Sequence, residues 1–247
     1  MVWIKVCGIK DYEEACQALD AGVDALGFNF AAGPRRITPE QARSIIQRLP
    51  NCVNKVGVFL DQEVEELVAI TEFCQLDMVQ LHGQESLEYI KALPLPETVM
   101  IIKVLHIDSQ LRLPGAGTLP PGSAETSQCW ADSLVRARYR TQLEEKARLY
   151  RNSRKVYALL VDTRGPGLAG GTGKTFDWGW ARGLVQQGHR VVVAGGLNPD
   201  NVASAIRAVC PYGVDVASGV ENQGRKDAKK LKAFVRAARS VTLPGQV

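Results

Sequence analysis

A cysteine and an aspartate end two apolar runs, where they could exchange protons with a substrate. Cys7 is the last residue of Trp3–Cys7, and Asp162 is the last residue of Tyr157–Asp162. A thiolate can accept a proton and a carboxylic acid can donate one, so the pair suits acid–base chemistry without a cofactor. The alternatives are a small core side chain for Cys7 and an ion pair or cap for Asp162.

Glycine-rich turns follow apolar runs in the last third of the chain. Ala194-Gly195-Gly196 and Ala217-Ser218-Gly219 each come directly after such a run. Glycine at the end of a strand lets backbone N–H groups approach an anion, which predicts a phosphate site. A third turn, Gly170–Lys174, contains Gly171 but is no P-loop, because Leu168 stands where that motif needs glycine. We expect it to close over the phosphate, with a plain surface loop as the alternative.

Arg36, His82 and Asp215 are further candidates for contact with a ligand. Arg36 could hold a carboxylate through two parallel hydrogen bonds, or it could be an ordinary surface arginine. His82 could bind the substrate or be a packed polar residue. Asp215 could bind the substrate or only orient the turn above it.

These residues need a fold that brings them together, and the pattern of the chain predicts one. Short runs that are apolar on both faces alternate with amphipathic helical patterns, as expected of a buried parallel sheet. With 247 residues, this order favours an α/β fold, a (β/α)₈ TIM barrel in one domain, residues 1–247. Catalytic groups of such barrels lie at the C-terminal ends of the strands. The predicted strands are Trp3–Cys7, Ala25–Phe30, Lys55–Leu60, Met78–Leu81, Met100–Leu105, Tyr157–Asp162, Arg190–Ala194 and Val214–Ala217.

The repeat is interrupted after the fifth strand. A segment rich in Pro, Gly, Ser and Thr predicts an insertion loop at about residues 108–130, and Leu134–Arg154 predicts an arginine-rich helix. The basic side chains form either a solvated face or a docking surface for an acidic partner. Elsewhere, Asp11–Ala21 predicts a helix, and Thr38-Pro39 and Asn198-Pro199 each predict an N-cap followed by proline.

Composition excludes several functional classes. A net charge of +4 and a pI of about 8.7 are too mild for a nucleic-acid-binding domain. No apolar stretch reaches the ~18 residues of a membrane span. Because the chain opens directly on a strand-like run, we expect no signal peptide. The six cysteines lack a C-x-x-C pair and the three histidines are scattered, so we expect no metal and no cofactor. We expect a cytoplasmic protein with reduced thiols.

Together these segments resemble phosphoribosylanthranilate isomerase, a (β/α)₈ barrel of tryptophan biosynthesis. The resemblance extends from the first strand to the last, and the Cys-Gly-Ile opening combined with Gly-Lys-Thr-Phe-Asp-Trp makes it specific. Two departures are the insertion after the fifth strand and Ala217, where the family often has serine. The matching segments include Lys5-Val-Cys-Gly-Ile, Arg36-Ile-Thr-Pro-Glu, Val79-Gln-Leu-His-Gly, Leu160-Val-Asp-Thr, Gly171-Thr-Gly-Lys-Thr-Phe-Asp-Trp, Ala194-Gly-Gly-Leu-Asn-Pro and Val214-Asp-Val-Ala-Ser-Gly.

The resemblance implies an Amadori rearrangement of N-(5′-phosphoribosyl)anthranilate. Asp162 is then the general acid, Cys7 the general base and Arg36 the ligand of the anthranilate carboxylate, while the turns with Gly195, Gly196, Ser218 and Gly219 and the Gly171 loop hold the phosphate. The expected partner is a small phosphosugar, without nucleic acid or membrane, and the protein is expected to be a monomer or homodimer. The alternatives are another phosphosugar-binding barrel enzyme and a non-catalytic phosphosugar-binding protein.

Overall fold

The computed structural model describes residues 1–106, 125–153, 155–162 and 178–242. Over these ranges, eight parallel strands form a closed barrel in chain order, and helices alternate with them. The predicted (β/α)₈ barrel is confirmed. None of the described helices combines the length and the apolar character that a membrane span requires.

The eight barrel strands begin and end within one residue of their predicted bounds. They are β1 Trp3–Cys7, β2 Ala25–Asn29, β3 Asn54–Phe59, β4 Met78–Leu81, β5 Met100–His106, β6 Val156–Asp162, β7 Val191–Ala194 and β8 Gly213–Val216. A short 3₁₀ helix, Ser218–Val220, and a hairpin of β9 Glu221–Asn222 and β10 Arg225–Lys226 follow the barrel. The helices are α1 Tyr12–Ala21, α2 Pro39–Ile46, α3 Val64–Cys74, α4 Leu87–Ala92, α5 Glu125–Asn152, α6 Gly179–Gln186, α7 Val202–Val209 and α8 Ala228–Arg239.

Side chains alternate between two apolar cores along each strand. Inward-facing residues such as Met78, Ile102 and Leu160 fill the barrel, and outward-facing residues such as Phe28 and Phe59 pack beneath the helices. Successive strand residues point to opposite faces, so the phase of each strand decides which of its last residues faces the barrel mouth. Asp162 has the inward phase because it lies two residues after Leu160.

Two of the predicted helix starts are confirmed and one is corrected. Asp11 caps α1, and Thr38 caps α2 with proline at its start. The helix after β7 begins at Val202, not at Pro199. Asn198 instead caps a turn, because its side-chain oxygen accepts from the backbone N–H groups of Asp200 (2.9 Å) and Asn201 (3.1 Å).

The helix after β5 starts earlier than predicted. Helix α5 spans Glu125–Asn152 instead of Leu134–Arg154, so residues 125–130 of the predicted insertion loop are helical. The rest of that predicted loop, residues 108–124, lies outside the described residues. A helix does precede β6 after a long stretch of chain that follows β5, in agreement with the sequence.

Candidate active site

A cavity of about 570 Å³ opens where the barrel strands end. The ends of several strands and the turns after β7 and β8 form its wall, so the fold gathers side chains that are far apart in sequence. Gly171, another predicted site residue, lies outside the described residues. Most of the predicted site residues do line this cavity: Cys7, His82, Asp162, Gly195, Gly196, Asp215, Ser218 and Gly219.

The two glycine turns lie between Asp162 and Cys7 on the barrel rim. The strands follow one another around the barrel as β6, β7, β8 and β1. Asp162 is in register with Ala194, the last residue of β7, and Val6 is in register with Val216, the last residue of β8. A ligand anchored at these turns therefore has the carboxyl group on one side and the thiol on the other.

Backbone geometry at the first turn suits an anion. Gly195 and Gly196 have φ values of 86° and 66°, a region that side chains with a Cβ rarely adopt. The side-chain amide of Asn201 donates a hydrogen bond to the carbonyl of Gly196 (3.0 Å), which holds the turn against the start of α7. Successive glycines in such a turn let a phosphate approach the backbone closely.

The structure does not place Arg36 in the cavity wall, where we expected it. Its side chain is exposed, and its backbone continues the sheet through a bridge with Asn29. The neighbouring Arg35 lines the cavity instead. Arg35 lies in a turn that the backbone N–H of Arg36 closes by donating to the carbonyl of Gly33 (3.1 Å), whereas Arg36 pairs with Asn29. The chain changes direction between them, so only the first of the two arginines faces the cavity.

Arg35 is held in place by a close fit and a paired hydrogen bond. Its side chain crosses Gly8, where an added Cβ would lie 2.4 Å from the Arg35 Cδ. Its guanidinium donates hydrogen bonds from Nε and Nη2 to the two carboxylate oxygens of Glu221, each 2.7 Å long. These hydrogen bonds, opposed in part by burial, raise the pKa of Arg35 above its already high ordinary value.

Three cationic side chains surround Cys7. Lys226 donates a hydrogen bond from Nζ to the carbonyl oxygen of Cys7 (2.7 Å), and its side chain is only 1% exposed. Lys5 precedes Cys7 by two residues on the same inward face of β1, and Arg35 lines the cavity beside Gly8, the residue after Cys7. All three interact electrostatically with Cys7, so negative charge on its sulfur would be stabilised.

A buried ion pair inside the barrel supports this arrangement. Lys5 is fully buried, and its Nζ lies 3.1 Å from Oδ2 of Asp215. Burial lowers the pKa of Lys5, but the charge and hydrogen bonds of Asp215 and Cys7 outweigh burial, so the pKa lies above its ordinary value. Lys5 therefore remains a charged ammonium two residues before the thiol on β1.

Asp162 lies beside two histidines. It is 4% exposed, and its Oδ2 is 3.7 Å from Nε2 of His82. His106 is in register with Asp162 on the neighbouring strand, and its Nε2 is 2.7 Å from the carbonyl oxygen of His82. The other ring nitrogen of His82, Nδ1, lies 3.3 Å from the side-chain nitrogen of Gln80.

Reasoning from the sequence missed the buried charges that support the site. Lys103, in β5, donates hydrogen bonds from Nζ to the carbonyl of Gly83 and to the carboxylate of Glu85, both 2.7 Å long. This ion pair anchors the loop that carries His82. A lysine within an apolar strand, as at Lys5 and Lys103, was the signal that could have revealed such a pair, because a buried ammonium needs an anionic partner.

Comparisons with known proteins identify one family. A family model described as N-(5′-phosphoribosyl)anthranilate (PRA) isomerase matches residues 4–116 and 125–237. The N-(5′-phosphoribosyl)anthranilate isomerase of Moorella thermoacetica is 42% identical over 97% of this chain and 90% of its own length.

Solved structures show the same relationship. The crystal structure of phosphoribosyl anthranilate isomerase from Thermotoga maritima has a TM-score of 0.76 at 34% identity and covers 98% of this chain and 100% of its own. A crystal structure of the isomerase with reduced 1-(o-carboxyphenylamino)-1-deoxyribulose 5-phosphate has a TM-score of 0.73 at 32% identity, with the same coverage. This chain therefore belongs to the phosphoribosylanthranilate isomerase family.

Proposed function

We propose that this protein converts N-(5′-phosphoribosyl)anthranilate into 1-(o-carboxyphenylamino)-1-deoxyribulose 5-phosphate, a step of tryptophan biosynthesis. Membership of the family supports the reaction. The observation that carries the proposal is that Cys7 and Asp162 line one cavity, with two glycine turns between them on the rim. This arrangement provides an acid, a base and a phosphate anchor around one small ligand.

Asp162 acts as the general acid in this proposal. Its carboxyl group donates a proton to the ring oxygen of the ribose, the bond from C1′ to that oxygen breaks, and the anthranilate nitrogen becomes part of an iminium ion. Only the protonated acid can do this. Asp162 is 4% exposed at the end of β6, so bulk water has little access to the carboxyl group that faces the substrate.

Cys7 acts as the general base. Its thiolate removes the proton from C2′ of the iminium ion, and the resulting enol rearranges to the ketone as its hydroxyl proton passes to C1′. Lys5, Arg35 and Lys226 support this role because their positive charges stabilise the anionic sulfur. The protons given and taken are equal in number, so exchange with water returns both residues to their starting states.

Arg35 holds the anthranilate carboxylate in this proposal, in place of Arg36. Arg35 lines the cavity and carries a guanidinium whose fork matches a carboxylate. Its bond to Glu221 already shows that it binds a carboxylate through two hydrogen bonds. The exposed side chain of Arg36 lies outside the cavity wall.

The phosphate binds at the turns of Gly195-Gly196 and Ser218-Gly219, which line the same cavity. From the sequence, we expect the loop that contains Gly171 to contact the phosphate as well. His82 and Asp215 also line the cavity and would contact the substrate or its surroundings. With the phosphate fixed at β7 and β8, the ribose lies between the ends of β6 and β1, where the acid and base stand.

The test is a fluorescence assay with the purified full-length chain. We expect the fluorescence of phosphoribosylanthranilate to decay enzymatically, with saturation kinetics, and the product to be a substrate for the next enzyme of the pathway. Binding of the phosphosugar without turnover would instead identify a non-catalytic binding protein. No turnover and no binding would refute the proposed function.

A further inference from the structure

A cluster of two imidazoles and a carboxylate occupies one edge of the cavity. Over the part of the chain that the structure describes, His82, His106 and Asp162 each offer a ligand atom, and these atoms all lie within 4.8 Å of one another. The residues follow or end the neighbouring strands β4, β5 and β6. The sequence predicted no metal site, because these ligands are spread over three strands and form no local motif.

We propose that this cluster binds one divalent transition-metal ion such as Zn²⁺, and that the bound ion inhibits the enzyme reversibly. Imidazole nitrogen and carboxylate oxygen are ligands that Zn²⁺ accepts, and three protein ligands leave a fourth position for water. The inhibitory part rests on the proposed function of Asp162. The binding part does not.

The distances are close to those of a zinc site. Zinc bonds of about 2.0–2.1 Å place tetrahedral ligand atoms roughly 3.3 Å apart. His82 Nε2 and Asp162 Oδ2 are already 3.7 Å apart. The distances from His106 to the other two ligand atoms are within 4.8 Å, and rotation of its exposed side chain can shorten them. Binding therefore requires side-chain rotation and no rearrangement of the strands.

Gln80 can fix the ring of His82 in the form that binds metal. Its side-chain amide lies against Nδ1 of His82, and its Oε1 is buried with no hydrogen-bond partner among the described residues. With the amide turned by 180°, Oε1 accepts a hydrogen bond from Nδ1–H, and the lone pair of Nε2 then faces Asp162. Such a second hydrogen bond to a ligating histidine is the usual way in which metal sites set the ring orientation.

Metal binding and catalysis compete for the same oxygen. As a ligand, Asp162 is a carboxylate whose lone pair is bound to the ion, so it has no proton to give to the ribose ring oxygen. His82 also lines the cavity, so the bound ion would occupy part of the substrate site. Inhibition should therefore weaken as the substrate concentration rises.

Binding is tested directly by titrating the reduced full-length protein with Co²⁺, a spectroscopic substitute for Zn²⁺. We expect one equivalent of Co²⁺ to produce visible absorption bands of nitrogen and oxygen ligands, and Zn²⁺ to displace it. His106→Gln should weaken binding at least ~10-fold. The matched control is His189→Gln, because His189 lies in the turn before β7 and outside the cluster. We expect it to bind like the unsubstituted chain.

Inhibition is tested in the fluorescence assay with added Zn²⁺ and then a chelator. We expect Zn²⁺ to slow turnover of the unsubstituted chain and of His189→Gln, and the chelator to restore it. The His106→Gln variant should keep its basal activity but need at least ~10-fold more Zn²⁺ for the same inhibition.

Three results would overturn the proposal. One is Co²⁺ binding that is unchanged in His106→Gln, and another is a thiolate charge-transfer band, which would place the ion on the cysteines. A third, bound metal that leaves turnover unchanged, would refute the inhibitory role. If the chain shows no isomerase activity at all, the Co²⁺ titration still decides whether the cluster binds metal.

Discussion

Arg35 and Glu221 share two parallel hydrogen bonds of 2.7 Å, which join the loop after β2 to the hairpin after β8. Glu221 accepts a further hydrogen bond from Lys226, at 2.9 Å, and Lys226 in turn holds the carbonyl of Cys7. The carboxylate of Glu221 therefore connects Arg35, which lines the cavity, with the backbone of Cys7 through Lys226. This relationship makes the cationic wall of the cavity part of the folded structure before any ligand arrives.

Arg35→Ala should raise KM by about 10- to 100-fold with a smaller effect on kcat, because it removes charge-assisted hydrogen bonds to a substrate group outside the reacting bonds. Arg36→Ala is the matched control and should leave KM unchanged, since its side chain is exposed outside the cavity wall. Steady-state kinetics of both variants give the answer. A larger KM effect in Arg36→Ala would return the role to that residue.

Cys7→Ala and Asp162→Asn should each lower kcat by ~10²-fold or more, the scale of a lost general base or acid. Their KM should change little, because neither residue anchors the phosphate or the carboxylate. Cys52→Ala is the control for the thiol, since Cys52 is exposed and lies away from the cavity. Near-normal turnover of either variant would contradict the role given to that residue.

The carboxylate of Glu221 should make the free energy of unfolding depend on pH in the acidic range. Burial raises the pKa of Glu221, but hydrogen bonds from Arg35 and Lys226 overcome burial and lower the pKa from 4.5 to about 2. A lowered pKa in the folded state means that the stabilisation is fully present above pH 4.5 and is lost as the pH falls towards 2. The stabilisation from the ionised Glu221 is on the order of 3 kcal/mol.

The check is the difference in free energy of unfolding between the unsubstituted chain and Glu221→Gln, from urea titrations at several pH values. We expect the difference to be largest above pH 5 and to shrink as the pH falls from about 4.5 towards 2. A difference that stays constant over this range would show that the carboxylate charge does not carry the effect.

Replacing only one partner of the buried ion pair between Lys103 and Glu85 should reduce the free energy of unfolding strongly. Burial raises the pKa of Glu85, but Lys103 outweighs it and the pKa is lowered, so the carboxylate is charged in the folded protein. Lys103→Met should reduce the free energy of unfolding by about 3–5 kcal/mol, because it leaves that charge unpaired. Denaturant unfolding of the single variant measures this cost.

The double variant Lys103→Met with Glu85→Gln is the control for this prediction. In the native chain, Glu85 accepts hydrogen bonds from the backbone N–H groups of Asp61 and Gly83, each 3.0 Å long. Glutamine keeps an oxygen that can accept these hydrogen bonds, and it carries no charge. The double variant should be more stable than Lys103→Met alone. If it is less stable, packing and not charge dominates this pair.

The sequence was sufficient to predict the strands and to place Cys7 and Asp162 at strand ends. Each strand is a short, largely apolar run, so its bounds and the position of Cys7 and Asp162 at strand ends were predictable. The sequence could not show which of Arg35 and Arg36 lines the cavity. The two arginines are adjacent, and only the local backbone conformation decides which side chain faces the cavity. The pair of Lys5 and Asp215 was equally hidden, since barrel closure brings together residues from the first and last strands.

Closure of the barrel also determines when the protein can first work during its synthesis. Cys7, the base that we propose, stands on β1, which leaves the ribosome before the other strands. Its neighbour β8 and the turn after it come near the end. A nascent chain that stops before Gly213 has no strand beside β1 on that side and lacks the second turn that we propose for the phosphate. Fragments released early should therefore be inactive, and activity should arise only when nearly the whole chain has been translated.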